Sequence, residues 1–356
     1  MIHLCAGNPG DWLARHRGKQ PIFACVLSFT ETGLIPHISA AGMTPQARQY
    51  TALADAEFLF SGAASERYPL PPLAAGVSPA VISRAILTRQ AIPLYLLSTG
   101  LPDRLTVPHI QLPVVIAKAV QTGQAMTLDQ ASRLLQSGLQ WGQRLSHPDR
   151  YLIIGECVVG GTTTAQAVLS ALGYAVSGRM GSSHRRANHS QKQALVEQGL
   201  AVWRQCGDLS SLAAAAAVGD PMQLVAAGML LAASAQGGVL LAGGAQMLAV
   251  YALAQAIAQC QQLSWHPTQV VVGTTRWVIE DQSADTVVIA QTIGVPYLAS
   301  QIDFSQSPYA QLRAYERGFV KEGMGAGGCA IAAHLYRGWT QTQLRHAVEA
   351  ELRRCL

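Results

Sequence analysis

Charge is what this 356-residue chain has least of. Asp, Glu, Lys and Arg make up 13% of it, and none of the four occurs from Pro221 to Thr275. The formal net charge of +5 is modest for the length. A duplex-binding protein concentrates basic residues on one face, so an anionic small molecule suits this balance better than nucleic acid. Aromatic residues are sparse too, at 6%, and none interrupts the most basic stretch, "SSHRRANHSQK" (182–192). Stacking on single-stranded nucleic acid is therefore not expected there; a phosphate-facing or solvated loop is. The cysteines at 5, 25, 157, 206, 260, 329 and 355 form no C-x-x-C and no Cys/His cluster of zinc spacing. They read as free thiols of a reducing cytosol, with no metal site. The opening "MIHLCAGNPGDW" lacks the basic end and apolar run of a secretory signal, which points to the cytoplasm. No repeat, low-complexity tract or flexible linker stands out.

What the chain has in quantity is apolar surface to bury, with 49% hydrophobic residues. The uncharged 221–275 stretch is long enough for two membrane spans of about 20 residues each. Gln223, Gln236, Gln246, Gln255 and Gln259 punctuate it, however, and glycine pairs at 237–238 and 243–244 bracket "VLLA". A helix, a short buried strand and a second helix fit better, because a parallel strand is covered on both faces.

Short apolar runs elsewhere read as buried strands: 22–28, 57–60, 93–98, 151–155, 238–242, 269–273 and 286–290. Helical spacing lies between most of them, as in "TLDQASRLLQSGLQWGQRL" from Thr127 and "QKQALVEQGLAVW" from Gln191. Strand–helix alternation predicts a doubly wound, mostly parallel Rossmann-like α/β sheet. The Pro-rich 67–76 stretch reads as a loop. "TQTQLRHAVEAELRRCL" closes the chain with a T-x-x-Q capping box at Thr340 and Gln343, and Glu349 is set to pair with Arg353.

Two glycine-rich segments carry the chemistry. "GECVVGGTTTAQAVLSALG" (155–173) is close to a P-loop, G-x-x-x-x-G-K-[ST], but Gly161 stands where the lysine belongs. Gly160 and Gly161 allow close backbone approach to an anion, and Thr162, Thr163 and Thr164 offer hydroxyls beside free helix N–H groups. The missing lysine favours a single phosphate over a triphosphate. Gly-Gly-Thr is equally ordinary turn-plus-cap chemistry. The second segment, "KEGMGAGG" (321–328), leads from Glu322 through Gly323 and Gly325 into an Ala-rich helix. Burial would raise the Glu322 pKa toward that of a proton acceptor; the bland alternative is a surface Glu paired with Lys321 or Arg317. His37, His109 and His266 stand alone and read as structural.

Together these segments resemble the nicotinate-nucleotide:dimethylbenzimidazole phosphoribosyltransferases. "MTLDQASRLLQSGLQWG" (126–142), the 155–173 loop and helix, "GRMGSSHRRANHSQKQALVEQGL" (178–200) and "KEGMGAGG" carry the resemblance, which spans roughly residues 76–335. It implies a large α/β domain over 20–335 and a small helical part built from 1–19 and 336–356. It further implies a homodimer and substrates that are nicotinate mononucleotide and a benzimidazole- or purine-like base, with no cofactor, metal, nucleic acid or membrane. By this resemblance Glu322 is the general base. The loop, with Glu156, Gly160, Gly161, Thr162 and Thr163, holds the mononucleotide, and Lys192 supplies positive charge to its phosphate. Ser78, in "AAGVSPAVISRA" (74–85), lies by the base pocket, with Gly323 and Gly325 near the ligand. The chain departs from the family at Val158 and Gly161, where the family has Gly and Asn. The Asp-His-Gly stretch is also missing, and "VLSFTETGLIPHISAAG" (26–42) stands upstream instead. Ser305 and Ser307 fit helix capping better than ligand contact. A non-catalytic nucleotide-binding protein and a membrane-associated one are the alternative readings.

Overall fold

The computed structural model describes residues 1–64, 67–70, 73 and 75–356; parts of the Pro-rich 67–76 loop and of the 74–85 segment lie outside them. Eight strands form one sheet: β1 (Ile2–Ala6), β2 (Ile22–Ser28), β3 (Leu94–Thr99), β4 (Ile110–Gln111), β5 (Tyr151–Cys157), β6 (Gly238–Ala242), β7 (Val270–Thr275) and β8 (Tyr297–Ser300). Their order is β1-β8-β7-β6-β5-β2-β3-β4. Every pairing is parallel except β1 with β8, which is antiparallel and shifts register between Leu4 and Ala6.

Alternate residues of a strand face opposite sides of the sheet, and here both sides are apolar. Val26, Ile154, Leu241 and Val272 pack against the helices Leu128–Leu145, Gly161–Ala171, Pro221–Ser234 and Ala245–Gln261. Phe23, Ile153, Leu240 and Val271 pack against Thr51–Ser61, Ala80–Arg89, Ala326–Arg337 and Gln341–Arg353. The uncharged stretch is thus explained as the helix 221–234, β6, the helix 245–261 and β7, buried on both faces. Among the described residues no helix is long and apolar enough to cross a membrane.

Two expected strands are helical. "EFLF" (57–60) lies inside the helix Thr51–Ser61, whose Leu53, Ala56, Phe58 and Leu59 are all buried. Residues 286–290 open the helix Thr286–Ile293, capped by Asp285, whose side chain accepts from the Val288 N–H. β1, β4 and β8 are strands that the alternation does not single out, each five residues or shorter.

The chain ends contribute helices, Trp12–His16 and Gln341–Arg353, but Ile2–Ala6 joins the main sheet as its edge strand. Trp12, Leu344 and Leu352 lie in the same core cluster as Phe23 and Ile153. The Thr340–Gln343 capping box is present. Glu349 faces Arg345 at 3.6 Å, while Arg353 donates to the Tyr309 hydroxyl.

Candidate functional site

From β2 the chain winds one way across the sheet, to β3 and β4; from β5 it winds the other way, to β6, β7 and β8. The direction reverses between β2 and β5, and in open α/β sheets ligands collect at the carboxyl ends of strands beside such a switch point. A cleft of about 400 Å³ opens there. Segments following β2, β5, β6 and β7 line it, together with residues 319–324.

On one wall, Gly160 takes a left-handed conformation (φ +89°) and starts the helix Gly161–Ala171. Any Cβ at 160 would stand 2.9 Å from the Gly33 backbone N in the turn after β2, so only glycine fits. Gly160, Gly161 and Thr162 line the cleft. Lys192 does not line it, but its fully buried Nζ donates to Thr162 Oγ1 at 2.9 Å and to the Gly181 carbonyl. Burial, reinforced by Lys321, pushes the Lys192 pKa down to about 7, against an opposing pull from Asp281. An ammonium so placed, beside a helix N-terminus and with no carboxylate bonded to it among the described residues, is suited to an anion.

The 182–192 loop turns inward. Ser182, Ser183, His184 and Arg185 line the cleft. The loop is pinned by Asn188 and His184 donating to the His37 carbonyl, and by the Ser183–Ser39 hydroxyl pair. His37 serves there through its backbone only.

Carboxylates occupy the rest. Glu322 is neither paired with Lys321 nor left on the surface: Lys321 is buried against Asp281 at 2.5 Å, and Arg317 lies over the Phe319 ring. Glu322 lines the cleft and accepts four hydrogen bonds, from Thr274 Oγ1 (2.9 Å) and Thr275 N (2.9 Å) on Oε2 and from Gly323 N and Gly327 N (3.1 Å each) on Oε1. Burial raises its pKa, and the four donors oppose that rise. Glu156 is buried, held by Gln246 Nε2 at 3.0 Å and by Val158 N at 3.1 Å. Burial, then the negative charges of Asp220 and Glu322, push its pKa up to about 8.

Of the expected site residues, Ser78, Glu156, Gly160, Gly161, Thr162, Glu322 and Gly323 meet at the cleft. Thr163 does not: it is wholly buried behind the loop. Gly325 does not line the cleft; it packs against Phe23 and Ala242, and Gly327 against Thr274, so these two glycines serve close helix–strand approach. Ser305 bonds Asp303, and Ser307 accepts from the Tyr309 N–H ahead of a short helix; both are local caps. Sequence reasoning does not single out Asp55, Gln246, Thr274 or Asp281. Asp55 lies two residues before the 57–60 run read as a strand, and no motif marks it. Gln246 is noted only as a polar interruption, and a glutamine within an Ala-rich helix gives no signal of its partner. Among the described residues no His/Cys/Asp/Glu group could hold a metal, and the cysteines are unpaired thiols.

Comparisons with known proteins place the chain by family and by fold. Residues 114–269 match the family model described as "Phosphoribosyltransferase". A "UPF0284 protein" of Trichodesmium erythraeum is 55% identical over 349 residues, covering 95% of this chain and 94% of that protein. One of Cyanothece sp. is 56% identical over 341 residues, covering 95% and 93%. Among solved structures, nicotinate-nucleotide-dimethylbenzimidazole phosphoribosyltransferase of Thermus thermophilus aligns with a TM-score of 0.62 at 19% identity, over 97% of this chain and 89% of that one. CobT from the same organism aligns at 0.58 and 19%, over 93% and 84%. At that identity the likeness is one of fold.

Proposed function

The chain belongs to the UPF0284 family, and we propose that it transfers the phosphoribosyl group of nicotinate mononucleotide to an aromatic N-heterocycle, releasing nicotinate, as in cobamide lower-ligand nucleotide synthesis. The observation that carries the reading is that the Gly160–Thr162 helix start and two carboxyls, buried Glu156 and half-buried Glu322, line one cleft. The match to the phosphoribosyltransferase family model supports the transfer itself.

In this reading the phosphate sits at the Gly160–Thr162 turn, with Lys192 charged behind it. The ring nitrogen of nicotinate is cationic in the substrate and takes the bonding pair as the C1′–N bond breaks, so departure requires no general acid. The incoming nitrogen attacks C1′ with its lone pair, and the proton of the heterocycle's N–H passes to Glu322. Two nearby carboxyls divide their roles. Glu156, its pKa pushed up to about 8, hydrogen-bonds the sugar without adding charge, while Glu322, whose four donors oppose the rise that burial causes, accepts the proton. Three of the donors on Glu322 are backbone N–H groups. Only the Thr274 hydroxyl can turn round to accept from a protonated Glu322.

The test is nicotinate release by purified protein with a panel of heterocycles. Glu322→Gln should lower the rate by roughly 10²–10⁴-fold, the usual worth of a positioned base, without changing mononucleotide affinity. No release with any base, in a folded protein that also fails to bind the mononucleotide, sinks the reading. Binding without release favours the non-catalytic alternative. A homodimer, a cytoplasmic setting and a boundary between 20–335 and the chain ends belong to the same proposal; light scattering, fractionation and limited proteolysis check them.

A further inference from the structure

Apart from Asp281, which pairs with Lys321, the transfer step leaves a second buried carboxylate on the cleft unused. Asp55, on the helix Thr51–Ser61, is 6% exposed and lines the cleft. Its Oδ1 accepts from the Ser78 hydroxyl at 2.6 Å, and among the described residues its Oδ2 accepts only a thiol, from Cys157 at 3.6 Å. Neither partner is a cation. A carboxylate offers about four lone-pair sites; Glu322 has four donors, whereas Asp55 has one good donor and one weak one. Leaving such a group short of donors in the interior is costly. The cost is explained if a ligand brings the missing donor.

Its neighbours fix what kind of donor. Ser78 gives its proton to Asp55 and accepts from the Ala80 N–H at 3.1 Å, so this wall offers a ligand an acceptor, not a donor. Pro79 follows directly and packs beside Gly323, its Cγ 3.3 Å from where a Cβ at 323 would stand. Asp55 and Glu322 therefore flank one stretch of cleft wall, linked by Ser78–Pro79 and Gly323.

We propose that Asp55 determines specificity for the accepting heterocycle, and that this acceptor carries an exocyclic amino group whose N–H bonds the Asp55 carboxylate. The inference rests on the transfer reading above. The ring N–H is consumed by Glu322, so a second N–H must come from a substituent. A methyl group in that place would bury the carboxylate against carbon.

Isosteric probes test it: 4-aminobenzimidazole against 4-methylbenzimidazole, with adenine as a natural amino-bearing heterocycle. The wild-type protein should favour the amino compound in kcat/KM by roughly 10- to 100-fold, the worth of a hydrogen bond to a charged group. Asp55→Asn should erase most of that preference while mononucleotide affinity stays put. Ser78→Ala, which leaves Asp55 shorter of donors, should keep or widen it. Equal use of the two probes by the wild type, or an unchanged preference in Asp55→Asn, overturns the inference and leaves the transfer reading intact. Absence of transfer to every probe counts against the transfer reading instead. Equilibrium binding of the two benzimidazoles to mononucleotide-saturated protein then reads the preference directly, and equal affinities overturn the role of Asp55.

Discussion

Gln246 reaches Glu156 through the space that a side chain at residue 161 would need. Its Nε2 donates to Glu156 Oε1 at 3.0 Å, and a Cβ at Gly161 would stand 1.8 Å from its Oε1. The P-loop lysine is absent because its place is taken by the residue that holds a buried carboxyl. Gly161→Ala should break that bond and cost about 1–3 kcal/mol, the range for leaving a buried polar group short of a partner. Gly161→Lys should do the same and gain no affinity for a nucleoside triphosphate. Denaturant unfolding and an ATP titration check both; tight ATP binding at unchanged stability contradicts the account.

Lys192 should trade stability for binding. Its pKa falls from 10.5 to about 7 in the fold, so the stability it lends is complete above the unfolded value and is lost as pH drops through about 7. Lys192→Met should therefore gain stability relative to the wild type at pH 6, compared with pH 9. Its affinity for inorganic phosphate and for the mononucleotide should fall roughly 10- to 100-fold. Unfolding curves at the two pH values, with and without phosphate, measure both effects.

Glu156 should show the opposite slope. Its pKa rises from 4.5 to about 8, so between those values the folded chain keeps a proton that the unfolded chain has released. The corresponding stability is complete below 4.5 and is lost as pH rises through about 8. Glu156→Gln cannot titrate, so it should gain on the wild type steadily from pH 5 to pH 8. Urea unfolding at three pH values suffices; parallel curves would show that Glu156 is not held neutral.

Thr274 should tune the base without binding substrate. Its hydroxyl is one of the donors that lower the Glu322 pKa against burial. Thr274→Val should move the rising limb of the pH–rate profile to higher pH by about one unit, so that kcat falls about tenfold at pH values below the limb. KM for the mononucleotide should hold. A change in KM alone, with no shift of the limb, argues for a purely structural role.

The fold is legible in the sequence where strands are long and buried on both faces, as at 22–28, 151–155 and 238–242. Where an apolar run is short, periodicity cannot tell strand from buried helix. "EFLF" fails on that ground, and 286–290 fails although Asp285, its cap, stands directly before it. The glycine-flanked segments around Glu156 and Glu322 are legible because loops of that composition announce themselves. Asp55 and Thr274 are not: one sits just before a run read as a strand, the other at the end of an apolar strand. Each acquires meaning only from a partner more than 20 residues away, Ser78 and Glu322.

The two margins of the sheet bear on how copies of this chain meet. β4 is only two residues long, and β1 runs against the grain of the other strands with a register shift at Cys5. Neither margin offers a long, regular row of free amide groups for a neighbour to extend. Pairing of two copies edge to edge therefore finds little backbone to build on at either margin.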